Sequence, residues 1–203
     1  MLRWQRQPLG PLEDARQRLV DGLDLAPHEG IVPARRSQRN GDHPAGIDRI
    51  VGRIEDAALA QRIVVAFLGT ECPLAKLYGP RLQQLADNYA DQGVSVIGIS
   101  SNVQDSVTEL ASYARRHDVK FPILKDVGNH VADQFGAQRT PEVFLLDTQR
   151  HIVYRGRIDD KYVVGVARKE ASREDLRAAI DEVLAGKPVS IPETQPLGCL
   201  IGR

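Results

Sequence analysis

Cys72 combines a reactive side chain with a position that could activate it. It closely follows the apolar run IVVAFLG at residues 63–69, which predicts a buried strand, and it precedes Pro73, a residue favoured at the first position of a helix. A thiol at a helix N-terminus faces unpaired N–H groups and the positive end of the helix dipole, which favour the thiolate that attacks disulfides and peroxides. We therefore expect a reactive Cys72; the alternative is a thiol that serves as a small buried apolar side chain.

Cys199 is the second of the two cysteines in the 203 residues. Two cysteines are too few for a disulfide framework or a four-cysteine zinc site, which leaves thiol chemistry or burial for each. Cys199 lies in the segment PETQPLGCLIGR, where a flexible tail could bring it to Cys72 as a resolving cysteine that attacks a mixed disulfide. A free tail thiol is the open alternative, because Pro192 and Pro196 restrict the approach.

Composition limits the classes of partner. Lys plus Arg and Asp plus Glu both number 27, so the chain lacks the basic excess that drives binding to nucleic acid. No run of about 20 apolar residues is present, so no membrane span is expected. The first ten residues lack the basic and then apolar pattern of an export signal, which favours a cytoplasmic location. No metal or other cofactor is expected, because the cysteines and histidines form no ligand set.

The pattern of apolar residues predicts alternating strands and helices after residue 60. In chain order these are a strand at 63–69, a helix from 73 to 89, a strand at 94–100, a helix at 106–117, an apolar stretch at 121–124, a helical turn at 130–135, strands at 142–147 and 151–158, and a helix from about Ser172 to 184. The three-residue connection at 148–150 predicts an antiparallel hairpin. The order predicts an α/β fold with a mixed central β-sheet flanked by helices on both faces.

The chain divides into three parts on the same criteria. Residues 1–50 are expected to be poorly structured, with a short helix at 12–25 followed by a Pro-, Gly- and Arg-rich stretch. Residues 51–188 hold the predicted strands and helices and form one domain. Residues 189–203 are a Pro-rich C-terminal tail.

Three motifs in this order resemble the redoxin, or AhpC/TSA-like, branch of the thioredoxin superfamily: FLGTECPLAKLYGPRL, FPILKDVGN and QFGAQRTPEVFLLD. The resemblance covers residues 61–188 and implies a thioredoxin-like fold, an oxidoreductase activity and a part in cellular redox homeostasis. In that superfamily the pair equivalent to Thr140 and Pro141 has a cis peptide bond beside the reactive cysteine and shapes the groove for a partner disulfide. We expect that groove to include the neighbours of Cys72 as well, namely Thr70, Glu71 and Pro73.

The sequence departs from the familiar motifs of this superfamily at several positions. Ala75 stands where a Cys-x-x-Cys motif has its second cysteine, so no local disulfide can form. Peroxiredoxins have Thr and Arg where this chain has Gly69 and Pro141, although Thr70 and Arg139 lie nearby in sequence. A copper chaperone of this fold would need a second cysteine at Lys76. Redoxins generally have a strand hairpin before the central strand, and residues 1–50 show no such pair.

Three hypotheses about function follow. The first is a thiol–disulfide oxidoreductase with Cys72 as nucleophile, resolved by Cys199 or by an external thiol reductant. The second is a thiol peroxidase of peroxiredoxin type with antioxidant activity, in which Cys72 passes through a sulfenic acid. The third is a non-catalytic binding module of an electron-transfer system. The expected substrates are protein or small-molecule thiols, disulfides or peroxides, and exported members of the family leave a periplasmic location open.

Overall fold

The computed structural model describes residues 60–163 and 166–203. The helix expected at 12–25 and the rest of the N-terminal part lie outside the described residues. Within the described residues the strands are β1 (Arg62–Phe67), β2 (Val94–Ser100), β3 (Ile123–Lys125), β4 (Arg139–Thr140), β5 (Glu142–Leu146), β6 (Ile152–Gly156), β7 (Tyr162–Val163), β8 (Val166–Ala167) and β9 (Cys199–Leu200). The helices are α1 (Pro73–Tyr89), α2 (Val107–Arg116), α3 (His130–Phe135) and α4 (Asp175–Leu184), with short 3-10 helices at Ala90–Gln92 and Val127–Asn129.

Five strands form a mixed sheet in the order β3-β2-β1-β5-β6. β1 lies at the centre, parallel to β2 and antiparallel to β5, and β2 is parallel to β3. β5 and β6 pair antiparallel, which confirms the hairpin predicted from the short connection at 148–150. Val64 shows the central position of β1, because it stands opposite Val96 on one side and Leu145 on the other.

Helices cover both faces of this sheet, as the order of elements predicts. Neighbouring residues of β1 point to opposite faces because side chains alternate along a strand. Val64 packs in a buried cluster with Leu82 of α1 and Ile180 of α4. Val65 packs in a second cluster with Phe135 of α3. Each face therefore has its own apolar core, and no described helix is long and apolar enough to cross a membrane.

The last helix begins two residues later than the sequence predicts. The expected N-cap was Ser172, whereas α4 begins at Asp175 with Glu174 as its N-cap residue. The carboxylate of Asp160 accepts hydrogen bonds from the backbone N–H groups of Ser172 at 2.7 Å and Arg173 at 3.0 Å. This tertiary contact keeps the preceding residues in a loop and delays the helix.

The C-terminal segment is attached to the domain at two places rather than hanging free as a tail. Arg155 of β6 exchanges backbone hydrogen bonds with Pro192 and Thr194, at 2.9 and 3.0 Å. Further along, β9 pairs antiparallel with β4. Ile201 then inserts into the apolar core beside α3, where 6% of its surface is exposed. The flexible-tail hypothesis for Cys199 is therefore wrong, because its segment is docked on the sheet domain.

Candidate active site

Cys72 is held at the junction between the central strand and the first helix. It is the N-cap residue of α1, with extended backbone angles (φ −70°, ψ 118°), and Pro73 occupies the first helical turn as its sequence position predicts. The backbone N–H of Cys72 donates to the carbonyl of Gly69 at 3.3 Å. Only 5% of the residue is exposed. The central strand and the helix start thus fix the thiol at one edge of the sheet, beneath other protein atoms.

Thr140 and Pro141 lie directly against this thiol. The peptide bond between them is cis, as the resemblance implies. The Cys72 thiol donates a hydrogen bond to the backbone carbonyl of Thr140, with an Sγ···O distance of 2.8 Å. The Thr140 hydroxyl is buried and has no other hydrogen-bond partner among the described residues, so it is available to donate to the sulfur when Cys72 is a thiolate.

Cys199 also lies beside Thr140. In the pairing of β4 with β9, Cys199 stands opposite Thr140. The backbone and the side chain of Cys199 are close enough to Cys72 to help lower the pKa of its thiol. Both cysteines are free thiols; Cys72 is buried and Cys199 is exposed. The fold therefore brings together two thiols that are far apart in the sequence.

Gly198 makes this close approach sterically feasible. Its φ of 151° lies in a region that side chains disfavour. A Cβ atom at this position would lie 2.0 Å from the Thr140 carbonyl oxygen, the atom that accepts the Cys72 hydrogen bond. A larger residue before Cys199 would push β9 away from β4.

The surroundings shift the pKa values of the two thiols in opposite directions. Burial by itself raises the pKa of Cys72, but hydrogen bonds from the backbone of Cys199 and Ala75 and from the side chains of Thr140 and Cys199 outweigh it, so its pKa lies below the ordinary value of a thiol. Burial and the neighbouring Cys72 raise the pKa of Cys199, with partial opposition from Arg139. Cys72 is therefore the thiol that ionises first.

A buried carboxylate, which the sequence analysis did not identify, organises the loops around Cys72. Asp105 is 2% exposed and accepts hydrogen bonds from the Thr70 hydroxyl at 2.6 Å, the Thr70 backbone N–H at 3.2 Å and the Ser100 hydroxyl at 2.7 Å. It also accepts from the Asn102 side chain at 3.0 Å. Burial would raise the pKa of Asp105, but the hydrogen bonds from Thr70, Asn102 and Ser100 lower it further than burial raises it. The sequence did contain a signal for this carboxylate: the polar run SSNVQDS at the end of β2. Functional sites in sheets of this kind gather at the ends of parallel strands.

Asn102 extends this network to the C-terminal segment. Its side-chain oxygen accepts from the backbone N–H of Gly202 at 2.9 Å, and the Gly202 carbonyl accepts from the N–H of Val103 at 3.1 Å. Hydrogen bonds thus connect Thr70, two residues before Cys72, with Gly202, three residues after Cys199.

The remaining sequence-predicted residues fall into different environments. Glu71 and Pro73 flank Cys72 and are exposed. The Thr70 hydroxyl is directed to Asp105. Arg139 donates to the Gly198 carbonyl at 2.8 Å and influences Cys199 rather than Cys72. Gly69 has no room for a side chain, since a Cβ there would lie 2.3 Å from the Asn102 side-chain nitrogen.

No group of three or more potential ligands among residues 60–163 and 166–203 is placed to hold a metal ion. The arrangement supplies two adjacent thiols, one buried and acidified and the other exposed. Such a pair can attack a disulfide and can itself be oxidised to a disulfide.

Comparisons with known proteins agree with this geometry. The sequence profile of the AhpC/TSA family matches residues 51–155. A thiol-disulfide oxidoreductase ResA from Halalkalibacterium halodurans is 29% identical over 91 residues, which are 45% of this chain and 51% of that protein. The chain thus spans about half the length of the curated relatives it matches.

Two solved structures extend the comparison. A hypothetical protein from Sinorhizobium meliloti 1021 is 34% identical, with a TM-score of 0.65 over 74% of this chain and 82% of that one. A thioredoxin-like protein solved in its oxidised form has a TM-score of 0.53 at 15% identity, over 81% of this chain and 94% of that one, a likeness of fold alone. The fold is therefore thioredoxin-like, as the motifs implied, and because the family profile covers more than half of its length, the chain belongs to the AhpC/TSA family.

Proposed function

We propose that this protein is a thiol–disulfide oxidoreductase whose redox couple is Cys72 and Cys199. The observation that carries the proposal is the position of Thr140. Its carbonyl accepts the Cys72 thiol at 2.8 Å, and in the β4–β9 pairing it stands opposite Cys199. Thr140 thus contacts Cys72 and pairs with Cys199, which brings the two thiols of the proposed couple to the same residue.

The reaction would proceed by two exchanges that balance in electrons and protons. The Cys72 thiolate attacks one sulfur of a substrate disulfide, forms a mixed disulfide and releases the other substrate sulfur as a thiolate. Cys199 then loses its proton and attacks the Cys72 sulfur, which releases the second substrate thiolate. The protein ends with a Cys72–Cys199 disulfide, and the substrate gains two electrons. Its two thiolates then take up the protons that Cys72 and Cys199 released on ionising. An external thiol reductant returns the protein to the dithiol state.

The pKa directions suit these two roles. The hydrogen bonds that lower the pKa of Cys72 raise the fraction of thiolate at neutral pH, and the thiolate is the attacking species. Burial and the negative charge of Cys72 raise the pKa of Cys199, so Cys72 is the first of the two thiols to ionise. Formation of the mixed disulfide removes that charge and makes Cys199 easier to ionise. The name of the ResA relative agrees with this activity.

The thiol peroxidase hypothesis has less support. Position 69, where peroxiredoxins have a threonine, has no room for a side chain beside Asn102. The hydroxyl of neighbouring Thr70 is bound to Asp105, and Arg139 is bound to the Gly198 carbonyl. The two groups that could have replaced the peroxide-activating residues are therefore both directed elsewhere.

Oxidation of three proteins tests the proposal: the intact chain, Cys72→Ser and Cys199→Ser. Each is treated with oxidised glutathione or with hydrogen peroxide in limiting amounts, and its mass is then measured. We expect the intact chain to lose two hydrogen atoms through a Cys72–Cys199 disulfide. Cys199→Ser should stop at a glutathione adduct on Cys72, because the second exchange has no thiol.

Three other outcomes would support competing hypotheses. Much faster oxidation by peroxide than by the disulfide would favour the peroxidase. A mixed disulfide on Cys72 that persists in the intact chain would mean that an external thiol resolves it. Ordinary reactivity of Cys72 without any disulfide would leave a non-catalytic binding module.

A further inference from the structure

The two thiols of the proposed couple differ sharply in access to solvent. Cys72 is 5% exposed and is enclosed by the first turn of α1, by Thr140 and by the segment that carries Cys199. Cys199 lies on the outer side of this contact and is exposed. In the reduced protein β9 is a two-residue strand held on β4 without covalent bonds, and a substrate disulfide can reach Cys72 only if this segment moves. A disulfide between the two cysteines would fix β9 in place over Cys72.

We propose that an external thiolate reduces the oxidised protein by attacking the sulfur of Cys199, so that the mixed disulfide with the reductant forms on Cys199 and Cys72 departs as the thiolate. This inference rests on the proposed function, because it requires the Cys72–Cys199 disulfide. It assigns Cys199 a second role, as the sulfur at which electrons enter the protein.

The geometry of disulfide exchange favours this sulfur. A thiolate attacks along the line of the S–S bond, from the side opposite the sulfur that leaves. Attack on Cys199 expels Cys72 toward the interior, so the reductant approaches from solvent. Attack on Cys72 would require the reductant to reach a residue that is only 5% exposed and that packs against the start of α1 and the Thr140 carbonyl.

The chemistry of the leaving group acts in the same direction. Exchange is faster when the departing thiol has the lower pKa. Hydrogen bonds lower the pKa of Cys72, whereas burial and Cys72 raise that of Cys199. After attack on Cys199, the departing Cys72 thiolate regains its hydrogen bonds from the helix start and the Thr140 hydroxyl.

Arg139 adds a preference for negatively charged reductants. It lies close enough to Cys199 to lower the pKa of that thiol by its charge, and its donation to the Gly198 carbonyl at 2.8 Å holds it beside β9. A cation at this place attracts an anionic thiolate. Small thiols that also carry carboxylates therefore fit the site better than cationic thiols.

The reduction balances as follows. A first thiolate RS⁻ forms a bond to the Cys199 sulfur and breaks the Cys72–Cys199 bond, which leaves Cys72 as a thiolate. A second RS⁻ attacks the R sulfur of the mixed disulfide and releases Cys199 as a thiolate, which takes up a proton. Two thiols are oxidised to RSSR, and the protein disulfide receives the two electrons.

The test locates the first adduct on the full-length chain. The oxidised protein is mixed with glutathione, quenched within the first turnover by acid and N-ethylmaleimide, digested and analysed by mass spectrometry. We expect glutathione on Cys199 and maleimide on Cys72, in at least about tenfold excess over the reverse arrangement, because access and leaving group act together. Glutathione on Cys72 with maleimide on Cys199 would overturn the inference while leaving the proposed function intact. If oxidation produces no Cys72–Cys199 disulfide at all, the proposed function fails first.

A second measurement uses charge at Arg139. Arg139→Gln should slow reduction by glutathione several-fold more than reduction by cysteamine, whose ammonium group offsets its thiolate charge. Arg139→Lys should restore most of the glutathione rate, because it keeps the cation. Equal slowing of both thiols by Arg139→Gln would mean that the substitution only disturbs β9, and this part of the inference would be wrong.

Discussion

At the scale of single residues, the reactivity of Cys72 depends on a few atoms around its sulfur. The Thr140 hydroxyl stands out, because it is buried, lacks another partner and lowers the pKa of Cys72. A buried polar group without a partner normally costs free energy. When Cys72 ionises, its thiolate accepts a hydrogen bond from this hydroxyl, which offsets that free-energy cost. Thr140 therefore acts through Cys72 as a positioning residue.

Thr140→Val should raise the pKa of Cys72 by roughly one unit, because a hydrogen bond to a charged group contributes about 1.5 kcal/mol or more and one pKa unit corresponds to about 1.4 kcal/mol. Valine has nearly the same shape, so the backbone carbonyl that accepts the thiol stays in place. The pH dependence of Cys72 alkylation, followed by peptide mass analysis, measures the change. The matched control is Thr108→Val on the exposed surface of α2, which should leave the profile unchanged. An unshifted profile in Thr140→Val would mean that the hydroxyl does not bind the thiolate.

At the scale of elements, the pairing of β4 with β9 determines whether the two cysteines can react. Each strand has only two residues, so the pairing has little stability of its own. It is supported by the burial of Ile201, by Arg139 on the Gly198 carbonyl and by the glycine at position 198 itself. The effective concentration of Cys199 at Cys72 therefore depends on residues that carry no chemistry.

Gly198→Ala should slow formation of the Cys72–Cys199 disulfide by about tenfold or more, since the added Cβ would lie 2.0 Å from the Thr140 carbonyl oxygen and must push β9 outward. Gly186→Ala provides the control, because Gly186 also has a positive φ, 70°, but no atom within 4 Å of a Cβ. Both variants place a Cβ on a residue with positive φ, and only the first has the steric conflict with Thr140. The measurement is the rate of disulfide formation in the reduced proteins under oxidised glutathione. Equal rates for the two variants would show that β9 does not set the distance.

At the scale of the whole molecule, the Asp105 network connects three parts of the chain around the site. The carboxylate binds the loop before Cys72 and the end of β2, and Asn102 passes the connection to Gly202. A buried charge of this kind is stable only while its hydrogen-bond donors are in place. The network therefore couples the stability of the sheet to the position of the C-terminal segment.

Asp105→Asn should destabilise the protein by about 2 kcal/mol at neutral pH, because the amide NH₂ group cannot accept from the buried donors that now bind the carboxylate. Since folding lowers the pKa of Asp105, its stabilising effect is fully present above the ordinary value of about 3.9 and is lost as pH falls through the lower folded value. The difference between the two proteins in urea unfolding should therefore shrink in acid. Asp91→Asn, at an exposed position, is the control. A difference that stays constant with pH would contradict an ionised, stabilising Asp105.

Local sequence patterns predicted the features that depend on neighbouring residues. Apolar runs marked β1 and β2, the three-residue connection predicted the hairpin of β5 and β6, and Pro73 placed Cys72 at a helix start. These signals are local because helix starts, turns and strand burial are set by a few adjacent side chains. The motifs around Cys72 and Thr140 added the family and the cis peptide bond.

The remaining features of the candidate site depend on contacts between residues that are distant in sequence. Cys199 reaches Cys72 because β9 pairs with β4 and Ile201 is buried, whereas the prolines of its segment suggested restriction. Asp105 acts through donors on Thr70 and Asn102 that no periodicity connects to it. Such contacts join residues that are distant in sequence, and their energy comes from burial and geometry that exist only once the sheet has assembled. The sequence therefore indicated a reactive Cys72 and left the role of Cys199 open, and the folded chain places both cysteines beside Thr140.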